Sequence, residues 1–350
     1  MKKLNVVFIM GAGFSAEAGG PLISNFLDKT RKIYRITGEN EFVEKTRKDF
    51  ELVNEVIGNI RSINSKAYLD FDNIETFLGA LELGIMINKF GTKRGQEIEE
   101  LRDSLIKVIV TTIEYSIKFR QGSQTSSLLP LEKYQKFFAK LEEFYQYCNY
   151  SFVTFNYDLI LEVGLNSIPV KYNYCLKRIN QEEISLLKLH GSLNWYQIGE
   201  NILTKNLPVD EDNLIRDSSK EEYLNIGSSL LSESKIPLII PPTLNKYKYH
   251  QQLKSVWERA ATILSEAELV FIIGYSMPET DTFFKYLYSL GVDSPTYLNK
   301  LVVINSDETI QNRYRPFVNP NNDFKKFHFI PGLFSQHFNQ IFVEIQNLVS

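Results

Sequence analysis

Residues 4–15 read Leu-Asn-Val-Val-Phe-Ile-Met-Gly-Ala-Gly-Phe-Ser. Leu4 to Met10 is a near-continuous apolar run rich in Val and aromatic or branched neighbours. That pattern predicts a strand covered on both faces, as in a parallel sheet. Gly11-Ala12-Gly13-Phe14-Ser15 follows at once. Small residues there let a backbone approach a phosphate, and a helix start supplies N–H donors and a favourable dipole. Ser15 adds a hydroxyl. The spacing is not G-x-G-x-x-G, because position 16 is Ala. A tight strand-to-helix turn with no ligand fits the same letters.

Outward from this stretch the chain alternates between two textures. Ser24 to Tyr34 suits a helix. From 35 to 149 long helical patterns dominate, over Asp49–Ile63, Ile74–Ile87, Gln96–Phe119 and Leu131–Tyr147, with apolar residues at three and four spacing. A loop is expected over Gly122 to Ser127. This region reads as a helical insertion, and 150–350 as the remainder of a nucleotide-binding core. Strand signals return at Ser151–Asn156, Leu186–Leu189, Pro237–Ile240, Glu268–Ile273, Leu301–Ile304 and Phe327–Ile330. Helices are expected over Leu253–Glu266, Thr282–Leu290 and Gln336–Val349. Gly199 to Ser234 is polar and reads as a long irregular loop or lid. The recurring order of apolar strand, short polar motif and helix predicts a doubly wound, Rossmann-like parallel α/β sheet. Its ligands would bind beyond the carboxyl ends of the strands.

Composition narrows the functional classes. The chain has 350 residues, 43% hydrophobic and 23% charged, with a formal net charge of -3. These values fit a globular protein of one large domain or two small ones and give no global basic field for nucleic acid. Direct nucleic-acid binding is therefore not expected. The apolar run after Lys2-Lys3 is too short to span a membrane, and no cleavage site follows it. Two isolated cysteines, Cys148 and Cys175, build neither a disulfide framework nor a zinc motif. A cytoplasmic protein without a metal is the expectation.

Four further motifs fall at expected strand ends. Thr154-Phe155-Asn156-Tyr157-Asp158 offers a neutral amide, Asn156, to hold a water or a ribose hydroxyl, and a carboxylate, Asp158, to accept from an amide. Either residue also suits a helix cap. Leu189-His190-Gly191-Ser192 offers the side chain best placed to exchange a proton near neutral pH. Gly274-Tyr275-Ser276 supplies a glycine and a hydroxyl for a phosphate or ribose. Asn305-Ser306-Asp307 supplies an amide and a carboxylate for an adenosine ribose. Turns with N-caps fit these last two equally.

Taken together, GAGFSAEAGGP, TFNYD, KLHGS, IIGYS and VVINSD resemble, in order and approximate spacing, the motifs of the SIR2-like family. The resemblance runs from residue 4 to about 307, interrupted by the helical insertion. It implies one SIR2-like domain over 1–350 with NAD as substrate. Gly11, Ala12, Gly13, Phe14 and Ser15 would hold its pyrophosphate and ribose. Asn156 would position the reacting ribose or water, Asp158 would meet the carboxamide, and His190 would be the base. Gly274, Ser276 and Asn305 would hold the adenosine half. The four zinc cysteines of protein-deacylating sirtuins are missing, and Leu22-Ile23-Ser24-Asn25-Phe26 stands where that class has Phe-Arg. Both departures resemble the NAD hydrolases of bacterial anti-phage defence instead. That resemblance implies a homo-oligomer and a HerA-type ATPase partner. Two alternatives stay open: an NAD-dependent protein deacylase or ADP-ribosyltransferase, and a non-catalytic nucleotide-binding subunit of a defence complex.

Overall fold

The computed structural model describes residues 2–36, 44–62, 70, 73–121, 128–177, 182–205, 214–216, 223–226, 236–240, 253–278, 282–291, 298–318 and 326–349. The chain divides into two compact units. The first comprises Met1–Glu17, Leu128–Gly191 and Tyr249–Ser350, and the second Ala18–Ser127 and Ser192–Lys248.

The first unit is built on seven strands: β1 (Leu4–Met10), β2 (Cys148–Thr154), β3 (Tyr172–Asn173), β4 (Ile184–Lys188), β5 (Leu269–Ile273), β6 (Lys300–Asn305) and β7 (Phe327–Pro331). They lie in the order β7-β6-β5-β1-β2-β4-β3, and every neighbouring pair is parallel. This is a Rossmann-like doubly wound sheet. The sequence makes it so because Val6 to Met10 and Leu269 to Ile273 are apolar at every position, and all are buried. A strand buried on both faces needs cover on both, which parallel crossovers provide.

Register aligns one aromatic row across the sheet. Phe8 pairs with Phe271 on one side and Phe152 on the other, and its ring stacks on both at 5.3 and 5.1 Å between centroids. Phe137, from the helix Glu132–Phe144, meets Phe8 edge-on at 5.7 Å. The helix Phe334–Val349 joins the same layer through Phe334 and Phe342, which contact Phe137 at 5.1 and 5.8 Å. Val7 and Ile9 point to the other face by the two-residue period. The helix Lys254–Glu266 packs on β1 and β4.

In the second unit the long helix Gln96–Ser116 is the common partner of Phe26–Arg35, Arg47–Ser62 and Ile74–Met86. Buried hydroxyls of Thr30 and Thr112 meet at 3.2 Å, and Ser104 donates to Asp49 at 2.7 Å. Glu114, also on this helix, is buried with neither carboxylate oxygen hydrogen-bonded among the described residues. Burial pushes its carboxyl well above the ordinary value, with Lys205 opposing.

Four expectations need correction. The helix expected to reach Phe119 ends at Ser116, and Phe119–Gln121 is a strand. The helix expected over Leu131–Tyr147 spans Glu132–Phe144. Ser24 lies in a 3-10 turn, Ile23–Asn25, and the helix proper begins at Phe26. Gly199–Ser234 is not simply irregular: it holds strands Asn201–Thr204, Leu214–Arg216 and Tyr223–Ile226, its other residues from 206 to 235 lying outside those described. The loop expected at Gly122–Ser127 also lies outside them.

Candidate functional site

The ladder of the main sheet continues one residue past its strands, which locks the motifs to one another. Gly11 donates its amide to Ile273 O at 3.0 Å, and Gly274 donates to Ile304 O at 3.0 Å. Phe155 donates to Met10 O at 3.3 Å and Leu189 to Thr154 O at 2.9 Å. The ends of five contiguous strands, β6, β5, β1, β2 and β4, therefore bring all the sequence-marked residues to one edge of the first unit. β1 is where the chain's winding reverses: β2 lies on one side of it and β5, reached later, on the other. Open α/β sheets bind ligands at such a switch point.

A hydrogen-bond network joins the first two motifs. Asn156 Nδ2 donates to Gly11 O at 2.8 Å and to Ser15 Oγ at 2.9 Å. The Ser15 hydroxyl donates in turn to Asp158 Oδ2 at 2.6 Å. Asp158 Oδ1 accepts the Ile160 amide at 3.1 Å, at the start of the helix Ile160–Asn166. Below them, the Thr154 hydroxyl donates to Met10 O at 3.1 Å and accepts from the Asn156 amide at 3.1 Å. Both oxygens of Asp158 are thus engaged, one by Ser15 and one by the Ile160 amide, although the helix N-cap itself is Leu159. Asn156 Oδ1 accepts no bond from the described residues.

The glycines meet each other. A Cβ on Gly11 would lie 2.5 Å from Tyr275 Cα, one on Gly13 would lie 2.8 Å from Gly274 Cα, and one on Gly274 would lie 2.3 Å from Phe14 N. Gly13 donates its amide to Gly274 O at 2.8 Å. Gly274 also has φ of +61°. Side chains are excluded because the two turns touch backbone to backbone.

The other marked residues sit around this contact. His190 is buried at 3% exposure. Its ring meets Phe155 edge-on at 5.1 Å and lies 6.4 Å from Tyr157. Phe155 stacks face to face on Tyr275, 4.3 Å and 6° apart, linking the second and fourth motifs. Asn305 accepts the Asp307 amide at 3.0 Å, and its Nδ2 lies 3.5 Å from Tyr275 O. Ser276 offers its carbonyl to Arg313 at 2.9 Å. Ala12 opens the short helix Ala12–Ala16. The Phe14 ring points away, into a cluster with Tyr134 at 5.1 Å and Phe334 at 4.8 Å, and only its backbone faces the turn. Bonds to Thr309 hold the Asp307 carboxyl below its ordinary value.

Several positions with a part here were not marked by the sequence reading. Phe155 and Tyr275 sit inside quoted motifs yet received no role. Lys188 and Glu162 form a buried ion pair beneath the second motif. A lysine in the apolar run Leu186-Leu187-Lys188-Leu189 was the visible signal. Arg313 and Tyr314 brace the fourth motif, the Tyr314 hydroxyl donating to Tyr275 O at 2.6 Å.

A cavity of about 730 Å³ opens elsewhere, at the amino ends of β1, β2 and β4, beside Lys3, Asn149, Glu183 and Arg259. No sequence-marked residue lines it, and its charges are of mixed sign. Among the described residues, no three His, Cys, Asp or Glu side chains are grouped to hold a metal ion, and no helix is long and apolar enough to cross a membrane. Cys148 and Cys175 are buried free thiols. Burial pushes the Cys148 thiol up to about 11.

No protein-family model matches the chain, and no curated protein matches it in sequence. Solved structures similar to it include "Sir2 homologue S24A mutant-ADP ribose complex", at 15% identity and TM-score 0.44, covering 98% of this chain and 92% of that one. Another is "Sir2-p53 peptide-NAD+", at 13% identity and TM-score 0.42, covering 97% and 93%. A third is "Structure of Sir2Tm bound to a propionylated peptide", at 13% identity and TM-score 0.40, covering 99% and 94%.

Proposed function

We propose that the chain is a SIR2-like NAD⁺ hydrolase, releasing nicotinamide and ADP-ribose. The observation that carries the reading is the network at the switch point. Asn156, Ser15 and Asp158 are bonded in series beside the Gly13–Gly274 contact, with His190 at the adjoining strand end. The chemistry asks little more. Nicotinamide leaves NAD⁺ as a neutral group and needs no acid. The site must shield oxocarbenium-like charge and hold a water. Asn156 is fixed through Nδ2, leaving Oδ1 to orient that water or a ribose hydroxyl. His190 would take its proton, and Asp158 would hold Ser15 and Asn156 in register. Gly11, Ala12, Gly13 and the Phe14 and Ser15 backbone would line the pyrophosphate side, and Gly274, Ser276 and Asn305 the adenosine side.

The wider reading goes with it: one SIR2-like domain with a 35–149 helical insertion, cytoplasmic and homo-oligomeric, acting in anti-phage defence under control of a HerA-type ATPase. Nicotinamide release from NAD⁺ by the full chain, alone and with a co-encoded ATPase, tests it. Release by the wild type that falls at least about a hundredfold in His190→Ala supports the assignment. Equal release by both refutes it. An acylated peptide in the same assay tests the deacylase alternative, which predicts release only when peptide is present.

A further inference from the structure

A buried ion pair lies directly behind the turn that carries Asn156. Lys188, the last residue of β4, and Glu162, on the helix Ile160–Asn166, are both 0% exposed. Lys188 Nζ donates to Glu162 Oε1 at 2.8 Å, to Tyr157 O at 3.3 Å, and to Asp158 O. These three acceptors use all three protons of an ammonium group. Glu162 Oε1 also accepts the Tyr174 hydroxyl at 3.1 Å, while Oε2 has no hydrogen-bond partner among the described residues. Burial pushes the Glu162 carboxyl up, and Lys188 opposes that shift.

Such a pair is a poor device for stability alone. Desolvating two charges offsets their attraction, and apolar residues of similar volume often serve a core as well or better. What the pair supplies is position. Two of its three bonds from Lys188 end on consecutive carbonyls of the Tyr157–Asp158 turn. That turn connects Asn156 to Asp158, and Asp158 reaches back through Ser15 to Asn156. A displaced turn therefore moves Asn156 through the backbone and through the hydrogen-bond chain together.

We propose that Lys188 is a positioning residue for Asn156, acting through the 157–158 backbone, with Glu162 holding the ammonium in place. The kinetic part of its test rests on the NAD⁺-cleavage reading. The variants are Lys188→Met and, leaving no buried charge, Lys188→Met with Glu162→Gln, each in the full chain. The expected result is a fall in kcat for NAD⁺ cleavage on the order of a hundredfold, the scale of an ångström-level misplacement, with KM nearly unchanged. In an Asn156→Ala background the same substitutions should cost almost nothing more, because coupled residues are not additive. A full additional loss in that background would overturn the proposal and leave Lys188 a core residue only. Hydrogen exchange gives a readout that needs no activity. Residues 154–160 should exchange faster in the variants while residues 4–10 and 269–273 keep their protection. Uniform acceleration of all three segments would also overturn it. A wild-type chain that releases no nicotinamide would sink the hydrolase reading, yet the exchange comparison would still decide the role of Lys188.

Discussion

Gly13 shows why single residues at this edge tolerate little change. Its amide bonds Gly274 O, and a methyl group would meet Gly274 Cα at 2.8 Å, backbone against backbone. Gly13→Ala should therefore lower thermal stability with no ligand present, by roughly 1–3 kcal/mol, the usual cost of overpacking. Unfolding of the ligand-free protein by calorimetry measures it. Unchanged stability with weakened NAD⁺ binding would show instead that the glycine serves only the phosphate. The sequence marks this residue for a ligand or a tight local turn but not for this contact, because the Gly274 turn that touches it is more than two hundred residues away in the chain. His190→Ala and Asn156→Ala belong at the same scale. General base assistance contributes about 10²–10⁴-fold, so His190→Ala should lose most but not all turnover. Asn156→Ala should be comparably impaired and should also loosen Ser15, which steady-state kinetics together with denaturant unfolding would separate.

At the level of elements, the helix Gln96–Ser116 carries a buried carboxyl, Glu114, with no hydrogen-bond partner among the described residues. Burial raises the Glu114 carboxyl well above its ordinary value, so the folded chain binds that proton more tightly than the unfolded one. Stability must then fall as pH rises above the ordinary carboxyl value of 4.5. Glu114→Met should stabilise the protein at neutral pH by about 1–3 kcal/mol and flatten that slope, with a smaller gain near pH 4. Denaturant midpoints across the pH range would check this, and a variant less stable at neutral pH would contradict it. The helix itself was legible because its apolar period runs for several turns. The strand Gly191–Ile198 was not. Six of its eight residues are buried, but Ser192 and Asn194 are polar, and they satisfy each other at 2.8 Å rather than facing water. The letters from Ser192 to Trp195 do alternate polar and apolar, so the signal was short rather than absent. Tyr223–Ile226 was missed for a different reason. It pairs on one side with nearby Leu214–Arg216 and on the other with Phe119–Gln121, about a hundred residues earlier, and no local pattern announces the second pairing.

Across the whole molecule, the legible part was the rhythm of the nucleotide-binding sheet. Apolar runs at β1 and β5 announce buried parallel strands, and each ends on a polar motif whose letters are visible one at a time. Their convergence depends on strand order, which places β6, β5, β1, β2 and β4 side by side. If NAD⁺ binds there, ligand at about a hundred times its dissociation constant should stabilise the fold by about 2.7 kcal/mol. Asn156→Ala should weaken that gain, and a melting temperature indifferent to NAD⁺ and to ADP-ribose would count against the site. The most direct measurement remains nicotinamide release from NAD⁺ by the wild-type chain beside His190→Ala and Asn156→Ala, with folding of each confirmed. The account predicts release by the wild type and a loss of at least about a hundredfold in both variants. Release at the same rate by all three proteins would contradict it.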